Sequence, residues 1–341
     1  MHGEGGGMRM DREPVLFTRK RRHWGRWLIS LVLAAVALCA LYTFYDNGRV
    51  VIRTQRVLVS NLPEELEGFT VLLLSDLNGK RFGPEQEHLI NLLQNQRYDV
   101  VCVSGDMVGS GADPYPFYEL LHSLSTQPVY FIAGDSDPVA VGGQPEGYHT
   151  VLADWIAGAQ TRGAVYLDAP ASLQVGEATV WFSDAAQIDL DLDSAAAAYA
   201  AAGTGVASYW LDVIARTQAA REQMREEDLH LALSHPPLRR ESLQALLDTA
   251  GEEAQAQIRS VDLVLSGGTA GGQWILPGLG PVWANGHWLP EEEVTGLSYI
   301  ANMPQYITGG LGVNAASPLP AFRLFNTPEA ALITFSSHTG A

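Results

Sequence analysis

Four runs of apolar residues stop at a side chain able to bind a cation or move a proton. Asp76 follows 70-TVLLLS-75, Asp106 follows 100-VVCVSG-105, Asp135 follows 128-PVYFIAG-134 and His235 follows 229-LHLALS-234. A fifth run, 261-VDLVLS-266, ends in the glycine cluster 267-GGTAGGQ-273. One aspartate after a strand is ordinarily a turn former or helix cap. Three in series, followed by a histidine, suggest more. Ligands of open α/β sheets bind beyond the carboxyl ends of the strands, so residues distant in sequence converge there. Such a crevice would hold three carboxylates within a few ångströms. Like charges that close need a cation or raised pKa values.

The elements that must position these residues are strands with helices between them. Further apolar runs lie at 179-TVWFSD-184 and 332-LITF-335, and helix-like stretches at about 84–96 and 116–125. Pro84 with Glu85 and Glu87 suits a helix start, because proline fits the first turn and acids complement the dipole there. The alternation predicts an α/β domain. The stretch 190–227 stands apart, with 195-AAAAYAAA-202 followed by 208-SYWLDVIARTQAAREQMREE-227. It reads either as a low-complexity linker or as a helical insertion, a lid, packed through Trp210, Leu211, Ile214 and Met224.

The 341 residues carry a net charge of −17, unevenly placed. Residues 1–26 hold seven Arg or Lys against three acids, a net +4, which leaves −21 on the rest. So acidic a body argues against nucleic acid as a partner, since that binding depends on Lys and Arg neutralising phosphates. Cys39 and Cys102 both fall in apolar runs, and no disulfide is expected.

Trp27 to Tyr45 contains no charged residue. At 1.5 Å per residue it spans about 28 Å, close to a hydrocarbon core of roughly 30 Å. Trp24 and Trp27 at one end, and Tyr42 and Tyr45 at the other, suit the two interfaces. The expected organisation is a basic cytoplasmic tail at 1–26, a transmembrane helix at 27–46 and a main domain at 50–341 outside the cytoplasm, by the positive-inside bias. The run is long and ends in bulky aromatics, which favours an anchor over a cleaved signal peptide.

The blocks 75-SDLNGKRFG-83, 105-GDMV-108, 134-GDSD-137, 234-SHPP-237 and 266-SGGTAGGQ-273 resemble those of the calcineurin-like metallophosphoesterases, with membrane-tethered bacterial relatives of UDP-diacylglucosamine hydrolases as the nearest likeness. The likeness extends over about 50–336, through 61-NLPEELEGFTV-71, 276-LPGLGPV-282, 306-YITGGLG-312 and 328-PEAALITF-335. It implies two packed mixed β-sheets flanked by helices in four layers, and two metal ions at the strand ends. Asp76, Asp106 and His235 match family ligands. Asn78 and Ser136 stand where the family has histidines, Asp135 replaces its asparagine, and Gly268 and Ala270 replace both histidines of the last block. The resemblance thus implies a metal site at Asp76, Asn78, Asp106, Asp135 and His235 holding at most one ion. With oxygen donors kept and imidazoles lost, Mg²⁺ or Ca²⁺ would be favoured over Mn²⁺, Fe or Zn²⁺; a relic site without an ion is the competing reading. No residue is assigned a catalytic role, and His287 is a further histidine able to approach the crevice. The expected function is a weakened or inactive member of the family that binds a phosphorylated ligand or a protein partner. An active hydrolase at the membrane surface is the alternative.

Overall fold

The computed structural model describes residues 24–142, 151–202, 205–284, 286–313 and 317–337. The basic tail expected at 1–26 therefore lies, up to residue 23, outside the described residues. The chain divides into two compact units at Tyr42/Thr43. The first is described by most of helix α1, Trp24–Asn47, which is long and apolar enough to cross a membrane.

In the second unit the chain runs as β1 (Val51–Leu58), β2 (Thr70–Leu74), α2 (Glu87–Gln94), β3 (Val100–Ser104), α3 (Tyr115–Ser123), β4 (Val129–Ile132), α4 (Asp154–Gln160) and β5 (Ala164–Tyr166). It continues through β6 (Ala171–Val175), β7 (Ala178–Asp184), α5 (Leu192–Ala202), α6 (Gly205–Gln223), β8 (Leu229–Ser234), α7 (Arg240–Thr249), α8 (Glu252–Arg259) and β9 (Leu263–Ser266). Two short hairpins follow, β10–β11 (Ile275–Leu276, Gly280–Pro281) and β12–β13 (Trp283–Ala284, His287–Trp288). The last strands are β14 (Gly296–Ile300), β15 (Met303–Ile307) and β16 (Glu329–Ser336).

Two six-stranded mixed sheets result, in the orders β1-β16-β2-β3-β4-β5 and β14-β15-β9-β8-β7-β6. Within the first, β2, β3, β4 and β5 are parallel; within the second, β7, β8, β9 and β15 are. Parallel strands covered on both faces read as continuous apolar runs, and β2 shows why. Its Val71 and Leu73 enter the core between the two sheets, while Leu72 and Leu74 enter the core under α2, α3 and α4. The central layer closes on aromatic contact, with the ring of Tyr130 stacked on Phe182 across the sheets at 4.1 Å. Helices α7 and α8 cover the outer face of the second sheet through Leu243 and Ile258.

The segment at 190–227 contains α5 and α6. None of α5's side chains is buried, whereas Val213, Ile214 and Thr217 of α6 are. Arg216 makes two 2.9 Å hydrogen bonds to the buried carboxylate of Asp168, and Arg221 donates to the carbonyls of Gln187 and Ile188. Helix α6 is thus held by charge-assisted bonds to the loops around the second sheet.

Because Phe182 is fully buried between the sheets, Phe182→Ala should destabilise the domain by about 3–5 kcal/mol through lost transfer energy and a residual cavity. Urea denaturation should show a lower midpoint at unchanged slope.

Candidate metal centre

The parallel strands of both sheets end at one edge, and the expected residues occupy the turns that follow. After β2 and β3 the backbone enters the left-handed region at Asp76 (φ 56°), Asn78 (φ 50°) and Asp106 (φ 55°). Non-glycine residues rarely adopt this conformation, though Asp and Asn do so most easily, and such outliers cluster at functional sites. Here the turns point the carboxylates of neighbouring strands toward each other and toward His235 at the end of β8. Asp76, Asp106 and His235 each offer a ligand atom within 4.8 Å of the others, and all three are buried. They form the site at the seam between the two sheets.

Each member is oriented by backbone. The Nδ1 of His235 lies 2.8 Å from the carbonyl of Ser104, which fixes the proton there and leaves Nε2 facing Asp106 Oδ2 at 3.3 Å. A metal-ligating histidine is commonly oriented this way. Asp106 Oδ1 accepts from the amide of Ser136 at 2.8 Å, and Asp76 Oδ2 from the amide of Gly268 at 3.0 Å. Of the remaining oxygens, Asp76 Oδ1 is buried without a hydrogen-bond partner and Asp106 Oδ2 has only the contact with His235, while both side-chain polar atoms of Asn78 are buried without a partner. Buried polar groups are normally satisfied, so a group of orphans in one place calls for an explanation. A divalent cation supplies one: carboxylate oxygens and the Nε2 of His235 converge, and their donor set is mainly oxygen. The residues present fit one ion.

The other candidates fall elsewhere. Asp135 is exposed and does not join the cluster. The turn that carries it is pinned by its neighbours: Ser136 donates to Asp106, and Asp137 accepts from the amides of Val108, Gly109 and Gly134 at 2.8–2.9 Å. Asn78 lies in the same loop as Asp76, with its amide oxygen against Gly109. His287 is exposed, with Nε2 3.2 Å from an Arg239 guanidinium nitrogen. At Gly268 the backbone sits at φ +74°, and an added Cβ would lie 2.9 Å from the carbonyl oxygen of His235. A histidine is therefore disfavoured there, and the Gly268 amide serves Asp76 instead. Ala270 is fully buried in the next turn.

Two cations escape the sequence patterns. Arg323 is fully buried and donates to the carbonyls of Gly312 and Gly309 at 2.5 and 2.6 Å, holding the 309-GGLG-312 loop. That loop packs on Asp76, whose side chain an added Cβ at Gly310 would strike. The signal was available only as an isolated arginine in an apolar segment, 322-FRLF-325. Lys80 donates to the carbonyl of Leu311 at 3.2 Å and lies over the ring of Phe82.

The electrostatics follow from burial. Desolvation lifts Asp76 to about 6, opposed by His235 and Arg323 and assisted by Asp106. Asp106 also suffers desolvation, but its contact with His235 and the bonds from Ser136 hold it below the usual carboxylate range. His235 loses solvation too, yet the two aspartates and the Ser104 carbonyl outweigh that and push it up to about 10. In the ion-free protein the three groups thus share protons as a unit, with His235 as the internal counter-charge.

A histidine whose folded pKa exceeds its unfolded one contributes stability that is whole below the unfolded value and lost above it. The ion-free protein should therefore lose this contribution as the pH rises from about 6.5 to about 10. Lys80, drawn down to about 7 by burial, titrates in the same window with the opposite sign. The readout is consequently the difference between wild type and His235→Gln in urea midpoints measured across that range in EDTA. The variant should lack the alkaline decline.

The calcineurin-like phosphoesterase family model matches residues 69–271, more than half of the chain. No curated protein matches. Among solved structures, the chain resembles the phosphopantetheinyl hydrolase PptH of Mycobacterium tuberculosis at 12% identity and TM-score 0.38, covering 72% of this chain and 91% of that one. A Thermus thermophilus protein gives 12% identity and TM-score 0.37, covering 72% and 90%. A predicted phosphoesterase of Streptococcus pneumoniae gives 11% and 0.25, covering 72% and 74%. Likenesses that distant add no argument of their own; the family match and the two-sheet fold do, and the chain belongs to the calcineurin-like phosphoesterases.

Proposed function

We propose that this chain is a membrane-anchored calcineurin-like phosphoesterase family member with weakened or absent hydrolysis, which binds one divalent cation and a phosphorylated ligand or protein partner outside the cytoplasm. Helix α1 serves as the anchor, with the N-terminus inside, and the resemblance to UDP-diacylglucosamine hydrolase relatives belongs to the same reading. The observation that carries it is the asymmetry of the site. Asp76 Oδ1, Asp106 Oδ2 and the Nε2 of His235 converge in a buried group that suits one ion, while Gly268 and Ala270 stand where the resemblance expects two further imidazoles.

A divalent ion bound here would polarise a phosphoryl oxygen. The chain's own residues do the rest. Asp76 and Asp106 supply negative charge fixed by backbone amides, and His235 presents Nε2 with its other nitrogen held by Ser104. What is missing is a proton donor for a leaving oxygen. Ser136 stands at the family's histidine position, and its hydroxyl does not protonate an alkoxide near neutral pH. Losing a general acid costs roughly 10²–10⁴-fold.

Thermal melts in Mg²⁺, Ca²⁺ and Mn²⁺ test the reading without relying on activity. Mg²⁺ or Ca²⁺ at about a hundred times its dissociation constant should stabilise by about 2.7 kcal/mol, and Asp106→Ala should abolish the shift. Hydrolysis of bis-p-nitrophenyl phosphate in Mn²⁺ should stay at background. Robust turnover lost in Asp106→Ala would establish an ordinary hydrolase with an unusual site.

A further inference from the structure

The last turn of α1 belongs to the globular unit, and it is bonded to one particular segment. Asn47 donates through Nδ2 to the carbonyl of Arg323 and accepts through Oδ1 from the amide of Arg323, at 2.7 and 2.8 Å. One residue earlier, buried Asp46 accepts from Thr327 and pairs with Arg49 at 2.8 Å. Two side chains thus clamp residues 323–327 to the point where the apolar run ends. The clamped segment overlaps 322-FRLF-325, whose phenylalanine side chains form an apolar surface. Phe322 and Phe325 are 37% and 42% exposed. The Trp274 ring lies 5.2 Å from that of Phe322, and its indole nitrogen donates to the carbonyl of Phe322. Ile275 donates to the carbonyl of Leu324, which ties in the β10–β11 hairpin, and Leu279 at that hairpin's tip is 57% exposed.

We infer that this aromatic face, formed by Trp274, Leu279, Phe322 and Phe325, rests on the lipid bilayer. The inference depends on α1 being a membrane anchor, as proposed above. Uncharged sequence ends at Tyr45, so Asn47 stands within two residues of the bilayer surface. Whatever Asn47 binds through its side chain must stand there as well. Aromatic rings with a polar edge favour that layer, which accepts the apolar body and hydrates the rest. The exposed rings therefore have an occupant of definite chemistry, the boundary between lipid headgroups and acyl chains. The arrangement also reaches the site. Between the two exposed phenylalanines, Arg323 turns inward and holds the loop that packs on Asp76. One arginine side chain thus separates the lipid-facing segment from the loop bearing on the metal centre.

Nitroxide labelling of the full chain in nanodiscs of phosphatidylcholine and phosphatidylglycerol tests this. Single labels would be placed by Leu279→Cys, Phe322→Cys and Phe325→Cys in a Cys39→Ala background, in which Cys102 is buried. Accessibility to oxygen and to a water-soluble nickel chelate would then be compared. Val165→Cys serves as the aqueous reference, since β5 is five strands from β1, about 24 Å at 4.8 Å per strand. Labels at 279, 322 and 325 should be at least several-fold less accessible to nickel than 165 and more accessible to oxygen. A label on native Cys39 reports the anchor separately. Lipid-like accessibility at Cys39 with water-like values at 279, 322 and 325 overturns the docking face alone. Water-like values at Cys39 overturn the anchor and the face together. Low accessibility to both reagents at 279, 322 and 325 means protein covers the patch, and also overturns the inference.

Discussion

The constraint on which the rest of this structure depends is the burial of two carboxylates side by side. Asp76 and Asp106 are almost completely withdrawn from water, and isolated charges in such a place would cost several kcal/mol each. Three things offset that cost. Backbone amides of Gly268 and Ser136 each occupy one oxygen, His235 faces both carboxylates, and Arg323 lies behind the loop that covers Asp76. The parallel strands bring these groups to one edge, and the left-handed turns after β2 and β3 aim them. A cation at the seam would satisfy Asp76 Oδ1, which the protein itself leaves unpaired.

Much of this was legible in the sequence, because it rests on local signals. Continuous apolar runs such as Val71–Leu74 announce strands covered on both faces, and a polar residue at the end of each run announces a strand end at the crevice. The two-sheet architecture and the meeting of Asp76, Asp106 and His235 follow from those signals together with the block resemblance. What the sequence concealed depended on turn geometry and long-range burial. Asp135 and Asp137 are two residues apart in one short turn, and the sequence does not distinguish which of them turns inward. The amides of Val108, Gly109 and Gly134 draw Asp137 in and leave Asp135 in solvent. Arg323 carries no motif; its part depends on carbonyls of residues 309 and 312 that only the folded loop presents.

The residues at the positions where the sequence resemblance expects histidines form a consistent set once geometry is considered. Gly268 is one of them. Its φ of +74° and its closeness to the His235 carbonyl fit a residue without a side chain, and its amide bonds Asp76. Ser136 likewise contributes a backbone amide to Asp106. At both positions main chain serves the carboxylates.

The placement of Arg323 joins the site to the end of α1. Asn47 binds the arginine's backbone, and the arginine's guanidinium binds the loop against Asp76. Burial lowers the guanidinium pKa to about 10, which still leaves it charged at neutral pH. A charged group enclosed this completely tolerates little displacement, because moving it would strip its carbonyl partners without offering water in exchange. The loop, the segment 323–327 and the end of α1 are therefore expected to move as one body. Through that body, the end of α1 and the geometry around Asp76 are mechanically coupled.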